Sequence, residues 1–216
     1  MTKEIYIFSG LGADERVFQR IDFYDSTTIY IKWIIPNKKE TIEQYATRLI
    51  EQITTAKPTL VGLSFGGLMA IEVAKQMEVE KVILIASAKT KKEIPFYFRF
   101  AGTFGLHKFL PTKLLKSSHF LTNWFFGTTS TSDKQILKEV LHDTDGTFLK
   151  WAIDKITRWK NETLIKKTYH IHGTSDRIFP FMFVKCDMSV KKGGHLMTLN
   201  RAGELSAIMR KELTIE

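Results

Sequence analysis

The sequence predicts an α/β protein whose mainly parallel, six-stranded sheet is covered by helices. Three observations carry this. Short runs rich in β-branched and aliphatic residues recur along the chain, and helix-periodic stretches separate the early ones. The run Lys81-Val82-Ile83-Leu84-Ile85-Ala86 is apolar on both faces, as a strand inside a doubly covered parallel sheet is. Finally, Gly62-Leu63-Ser64-Phe65-Gly66-Gly67 stands between an apolar run and an amphipathic one, a strand–turn–helix sequence. Strands alternating with helices imply right-handed parallel crossovers and few permitted topologies.

Residues 4–8 read as the first strand, ending in the glycine-bearing loop Ser9-Gly10-Leu11-Gly12-Ala13-Asp14, with a short helix over 15–21. Residues 27–34 are β-branched and aromatic and read as the second strand. Thr41-Ile42-Glu43-Gln44 fits a capping box. It opens a helix with Ile42, Tyr45, Ala46, Leu49, Ile50 and Ile53 on one face. Pro58 precedes a third strand at 59–63, and the helix after Ser64 runs to about Met77. A fourth strand occupies 81–86. The alternation breaks after residue 88 and resumes with a fifth strand at 168–172 and a sixth over 186–191. A last helix spans 200–213, with Leu205, Ile208 and Met209 facing inward.

A chain of 216 residues is enough for one sizeable core. Hydrophobic content of 44 % and charged content of 25 % are those of a soluble globular protein, and no apolar run approaches the ~20 residues of a membrane span. The N-terminus enters a strand-like run directly, without a signal-peptide core. The single cysteine, Cys186, reads as a small apolar packing residue. Both features favour a reducing cytoplasm. The net charge of +9 is uneven: residues 89–167 hold 15 Lys and Arg against 7 Asp and Glu, with 13 of the 26 aromatic residues.

The chemistry starts at Ser64. In a Gly-x-Ser-x-Gly elbow the turn is so tight that Gly62 and Gly66 face close backbone, where a Cβ would intrude. The turn exposes the serine hydroxyl at a strand end and sets the Phe65 N–H at a helix N-terminus, where it can stabilise an oxyanion. Such a serine needs a base and the base an orienting acid. His172-Gly173-Thr174-Ser175-Asp176 follows the fifth strand and puts a carboxylate on the elbow's side of the sheet. Lys192-Gly193-Gly194-His195 follows the sixth and offers a histidine. The chain order Ser64, Asp176, His195 is that of a Ser…Asp…His triad.

With these residues in view, the chain resembles the α/β-hydrolase superfamily through four signatures spread over nearly its whole length. They are the elbow 62–66, the acid loop 172–180, the base loop Gly194-His195, and Phe8-Ser9-Gly10-Leu11-Gly12 in the place of the first oxyanion loop. The resemblance implies Ser64 as nucleophile, His195 as base, Asp176 as acid, and the N–H groups of Leu11 and Phe65 as the oxyanion hole. It implies a trimmed fold that lacks the family's initial antiparallel strands, with the second and sixth strands at the edges. Ser9 stands where a histidine is common. The implied activity is hydrolysis of a small-molecule carboxylic ester or thioester, without metal or organic cofactor. An acyltransferase, a C–C hydrolase or a lyase on the same triad, or a non-catalytic binding member of the fold, are the other readings.

The stretch 89–167 interrupts the core (1–88 and 168–216) where the family carries a helical cap. Ser132-Asp133-Lys134-Gln135 reads as a helix start, and Phe148, Trp151, Ala152, Ile156 and Trp159 form one stripe. The plain reading is aromatic packing of a small cap onto the sheet. The sharper one is an apolar acyl pocket with a cationic rim, suited to an anionic or amphipathic acyl compound. Nucleic-acid binding lacks a recognition module, stable membrane insertion lacks a span, and Gly10-Leu11-Gly12 lacks the third glycine of a dinucleotide loop. Asp14 reads as a turn residue. His170 and His172 read as strand-packing or loop-bonding residues, and His107, His119 and His142 as surface or pocket-wall histidines.

Overall fold

The alternation of side chains along each strand sends one set of aliphatic residues to each face of a sheet, and two separate cores result. The computed structural model describes residues 3–109, 111–116 and 120–214, with the side chain of Leu114 outside that set. The strands are β1 (Lys3–Phe8), β2 (Ser26–Tyr30), β3 (Thr59–Leu63), β4 (Lys81–Ile85), β5 (Thr168–Gly173) and β6 (Met188–Val190). Their order is β2-β1-β3-β4-β5-β6 and all five pairings are parallel. The sheet is thus wholly parallel among the described residues, with the second and sixth strands at its edges.

The helices are α1 (Ile42–Ile50), α2 (Phe65–Ala74), α3 (Phe96–Thr103), α4 (Thr112–Leu115), α5 (Phe120–Phe126), α6 (Thr131–Asp143), α7 (Gly146–Thr157), α8 (Met197–Asn200) and α9 (Ala202–Thr214). Ile5, Ile7, Val61, Leu63, Ile83 and Ile85 face one side, beneath α6, α8 and α9. Tyr6, Phe8, Leu60, Val82 and Leu84 face the other, beneath α1, α2 and α7. Each such fully buried aliphatic side chain contributes about 1.5–3 kcal/mol relative to exposure. At the start of α1 both bonds of the Thr41–Gln44 capping box are present.

Two strands are shorter than their sequence runs. β2 stops at Tyr30 because β1, its one partner, ends at Phe8; after Ile31 N–H reaches Ile7 O, the chain leaves the sheet and Trp33 turns to pack on Phe65 and Phe148. β6 keeps only three residues, since an edge strand pairs on one side and its register covers only Ile171 to Gly173 of β5. The helix expected over 15–21 is a single 3₁₀ turn, Glu15–Phe18, capped by Asp14. The last helix is split: α8 precedes α9, whose inner face is Leu205 and Met209 with Ile208 at its border.

The inserted stretch between β4 and β5 does not stand apart from the sheet. α6 joins one core through Ile136, Leu137, Val140 and Leu141, and α7 joins the other through Phe148 and Ala152. Beyond α7, Trp159 donates its indole N–H to Oε1 of Glu72 at 2.8 Å, while Lys75 pairs with Oε2 at 2.8 Å. Glu72 is fully buried on the elbow helix, so both partners are needed to satisfy it. Several other aromatic residues of the insertion face outward: Phe96 and Phe100 on α3 and Phe104 just after it are exposed, as are Phe120 and Trp124 on α5, whereas Phe98, Phe126 and Trp151 are partly buried against the two cores.

The elbow packs directly against the end of β1. A Cβ on Gly66 would overlap the carbonyls of Phe8 and Ser9, and one on Gly62 would overlap Gly67. Gly66→Ala is expected to lower folding stability by about 3 kcal/mol or more. Urea unfolding reads this, and an unchanged midpoint would contradict so close an approach.

Candidate active site

Ser64 directly follows β3 with φ +53° and ψ −120°, a backbone conformation that non-glycine residues adopt only under constraint. The constraint is a set of bonds on its main chain. Its N–H donates to Ile85 O at 2.9 Å, and its carbonyl accepts from Gly67 N–H at 2.9 Å and from the buried Ser87 hydroxyl at 2.7 Å. The turn directs the side chain toward the loops after β5 and β6.

Those loops are bonded to each other. Ser175 N–H donates to Gly193 O at 2.9 Å, Thr174 N–H donates to Val190 O at 3.0 Å, and Gly173 lies so close to Gly193 that a Cβ there would strike its carbonyl. The result brings three distant residues together. His195 Nε2 lies 2.7 Å from Ser64 Oγ, and His195 Nδ1 lies 2.8 Å from Asp176 Oδ2. The carboxylate only accepts, so Nδ1 carries the proton and Nε2 accepts from the Ser64 hydroxyl. Asp176 Oδ1 accepts from the N–H groups of Ile178 at 2.8 Å and Phe179 at 2.9 Å, so the acid is also a turn cap. All three side chains are buried.

Leu11 lies in the loop bordering Ser64, and Phe65 is the first residue of α2. Among the described residues, neither N–H has a hydrogen-bond acceptor. The loop is braced in a way that sequence reasoning misses. Ser9 accepts from the Trp33 indole N–H at 3.0 Å and donates to Ala13 O at 2.9 Å. No local pattern marks this pair, whose members are 24 positions apart. Ser87, which fixes the Ser64 carbonyl, leaves no motif either.

Behind the acid sits a second polar pair. His172 Nε2 is 2.8 Å from Phe179 O and 3.6 Å from Asp176 Oδ2, and its Nδ1 is 3.3 Å from His170 Nε2. A carbonyl only accepts, so His172 carries its proton on Nε2 and accepts at Nδ1 from His170. Nδ1 of His170 is left buried without a partner. Burial pushes His170 well below the ordinary histidine value, with the neighbouring His172 and Lys89 adding to the effect. Burial also lowers His172, against the opposing pull of Asp176. The strand-packing and loop-bonding reading of this pair therefore describes where they sit.

The remaining sequence candidates lie elsewhere. Asp14 caps the 3₁₀ turn and pairs with Arg16 at 2.6 Å. His107 is buried against Asp154 at 3.0 Å, His142 is exposed, and His119 falls outside the described residues. Cys186 is partly buried, which pushes its thiol up. Free space at Ser64 is about 10 Å³, enclosed by Leu11, Phe126, Val140 and Leu196.

The model of an uncharacterised protein family, UPF0227, matches residues 11–94. No curated protein matches the chain in sequence. Solved structures match it along its length. A hydrolase from Pseudomonas aeruginosa PA01 superposes with a TM-score of 0.75 at 12% identity, over 99% of this chain and 91% of that one. The chain has the α/β-hydrolase fold. A bromoperoxidase from Bacillus anthracis (TM-score 0.70, 18% identity, 100% and 93% covered) and the enol-lactonase from Burkholderia xenovorans LB400 (0.68, 16%, 100% and 92%) are similar in the same way. On the α/β-hydrolase fold, Ser64, Asp176 and His195 sit at the carboxyl ends of β3, β5 and β6, the side of a parallel sheet where ligands bind. Among the described residues, no helix is long and apolar enough to cross a membrane.

The lowered values of His170 and His172 set an acid limit. The unfolded chain binds protons at these imidazoles from about pH 6.5 downward, and the folded chain only at lower pH. Stability is therefore full above 6.5 and falls as pH drops through that value, by up to about 1.4 kcal/mol per pH unit for each histidine. Urea midpoints between pH 7.5 and 5.5 are expected to show this slope, and His170→Asn to reduce it. Equal slopes would contradict the buried neutral pair.

Proposed function

We propose that the protein is a serine hydrolase that cleaves a small-molecule carboxylic ester or thioester through an acyl-enzyme intermediate. One observation carries the reading: a continuous chain of short hydrogen bonds from the Ser64 hydroxyl through the His195 imidazole to the Asp176 carboxylate. In the cycle, His195 Nε2 takes the hydroxyl proton as Ser64 Oγ attacks the acyl carbonyl. Asp176 holds the tautomer and stabilises the imidazolium that forms. The unengaged N–H groups of Leu11 and Phe65 receive the oxyanion, and the dipole of the ten-residue α2 adds to the second of them. His195 then protonates the departing oxygen or sulfur. Water, deprotonated by the same imidazole, releases the acid and restores Ser64. Among the structural relatives, the names hydrolase and enol-lactonase support hydrolytic chemistry of this kind, while the bromoperoxidase carries a different one.

A fluorophosphonate probe is expected to label Ser64 in the folded protein and to leave Ser64→Ala unlabelled. On a panel of chromogenic esters and acyl thioesters varied in chain length and charge, the substrates that are turned over should yield free acid. Ser64→Ala should lower kcat by about 10⁶-fold and Asp176→Asn by about 10⁴-fold. A folded protein that resists the probe, or Ser64→Ala with full turnover, would end this reading.

A further inference from the structure

Room for a ligand exists beside the catalytic cavity rather than in it. The space at Ser64 holds about one water. A cleft of about 820 Å³ lies against the base loop at Lys192 and Gly194, within the size range of small-molecule sites. Its wall is built from neighbours of the site: Ser175 and Arg177 flank Asp176, Gly194 precedes His195, and Gly127 follows Phe126.

The cleft is charged with one sign. Lys134, Arg177, Lys192 and Arg201 line it, and among the described residues no Asp or Glu does. Lys134 and Lys192 have no ion-pair partner among the described residues, and Arg201 meets only the exposed Glu204, at 3.2 Å. Arg177 is held in place: its guanidinium lies 4.3 Å from the Trp124 ring and donates to Trp124 O at 2.6 Å. In the same wall Asn200 spends its amide N–H on Gly127 O at 2.9 Å, which leaves a buried Oδ1 with no donor. Phe120 and Trp124 supply apolar surface. Four cations around one void repel each other, and an anion between them reverses that term.

We infer that this cleft holds the anionic end of an amphipathic acyl substrate, a phosphate or carboxylate gripped by Lys134, Arg177, Lys192 and Arg201, with apolar atoms against Phe120 and Trp124. Phe126 is the partition between cleft and nucleophile. Its ring stands edge-on to the His195 imidazole at 5.7 Å and borders the Ser64 cavity, while Gly127 borders the cleft. The word substrate rests on the hydrolase reading; the binding does not.

Ser64→Ala protein is titrated calorimetrically with hexyl phosphate, hexanoate and 1-hexanol. At least one of the two anions is expected to bind and the alcohol not, and the pair of anions tells a phosphate site from a carboxylate one. Adding Lys134→Gln and Lys192→Gln, both on exposed side chains, should weaken the anion about tenfold, as should raising the salt toward 1 M. In otherwise wild-type protein the same double substitution should lower kcat/KM about tenfold for a p-nitrophenyl ester ending in a carboxylate, relative to its neutral analogue. No anion binding, or equal binding by the double variant with an unchanged melting curve, overturns the inference. Anion binding in protein whose Ser64 resists fluorophosphonate would keep the cleft as an anion site and remove the hydrolase. Labelling without anion binding would do the reverse.

Discussion

The arrangement depends on the contact between the elbow and the end of β1. Because Gly66 has no Cβ, the carbonyls of Phe8 and Ser9 approach the start of α2 without a clash. That approach sets the first-strand loop, with its Leu11 N–H, beside Ser64. The same closeness leaves Ser64 no ordinary conformation, and the bonds from Ile85, Gly67 and Ser87 hold it at positive φ. The positive φ at Ser64 and the placing of the Leu11 loop beside it are thus two results of one packing constraint.

The acid side is organised differently. Asp176 accepts three hydrogen bonds, two from main-chain N–H groups at Oδ1 and one from His195 at Oδ2. His172 then presents a neutral N–H edge 3.6 Å from the same carboxylate while bonding Phe179 O. The pair of buried histidines fills the space beneath the acid with polar groups of fixed tautomer, at the expense of one unpartnered nitrogen on His170. A buried imidazole kept neutral is a local weakness in acid and a rigid support at neutral pH.

Much of this was legible in the sequence, for physical reasons that also mark where legibility stops. The parallel sheet announced itself because strands buried on both faces must be continuously apolar, as 81–86 is. The meeting of Ser64, Asp176 and His195 could be expected because each lies just past a strand, and parallel strands end on one side. Strand ends were less readable: 31–34 has β-branched and aromatic residues, yet lacks a partner once β1 stops. Pairs such as Trp33–Ser9 and Ser87 on the Ser64 carbonyl join distant segments and follow no local period. Aromatic content in the insertion likewise does not say which rings face inward. Phe148 and Trp159 are buried, whereas Phe96, Phe100 and Phe104 are not. Of the four cations that line the cleft, only Lys134 comes from the basic insertion; Arg177, Lys192 and Arg201 come from the core.

The junction of α5 with the base loop decides how this enclosed centre admits anything. Leu196 N–H is bonded to Phe126 O, Asn200 to Gly127 O, and Gly127 lies against Gly194 with no side chain between them. Hinging α5 outward would therefore pull the His195 imidazole away from the Ser64 hydroxyl. A ligand that reached Ser64 with these bonds intact would have to pass by rotation of rings such as Phe126 about a stationary backbone.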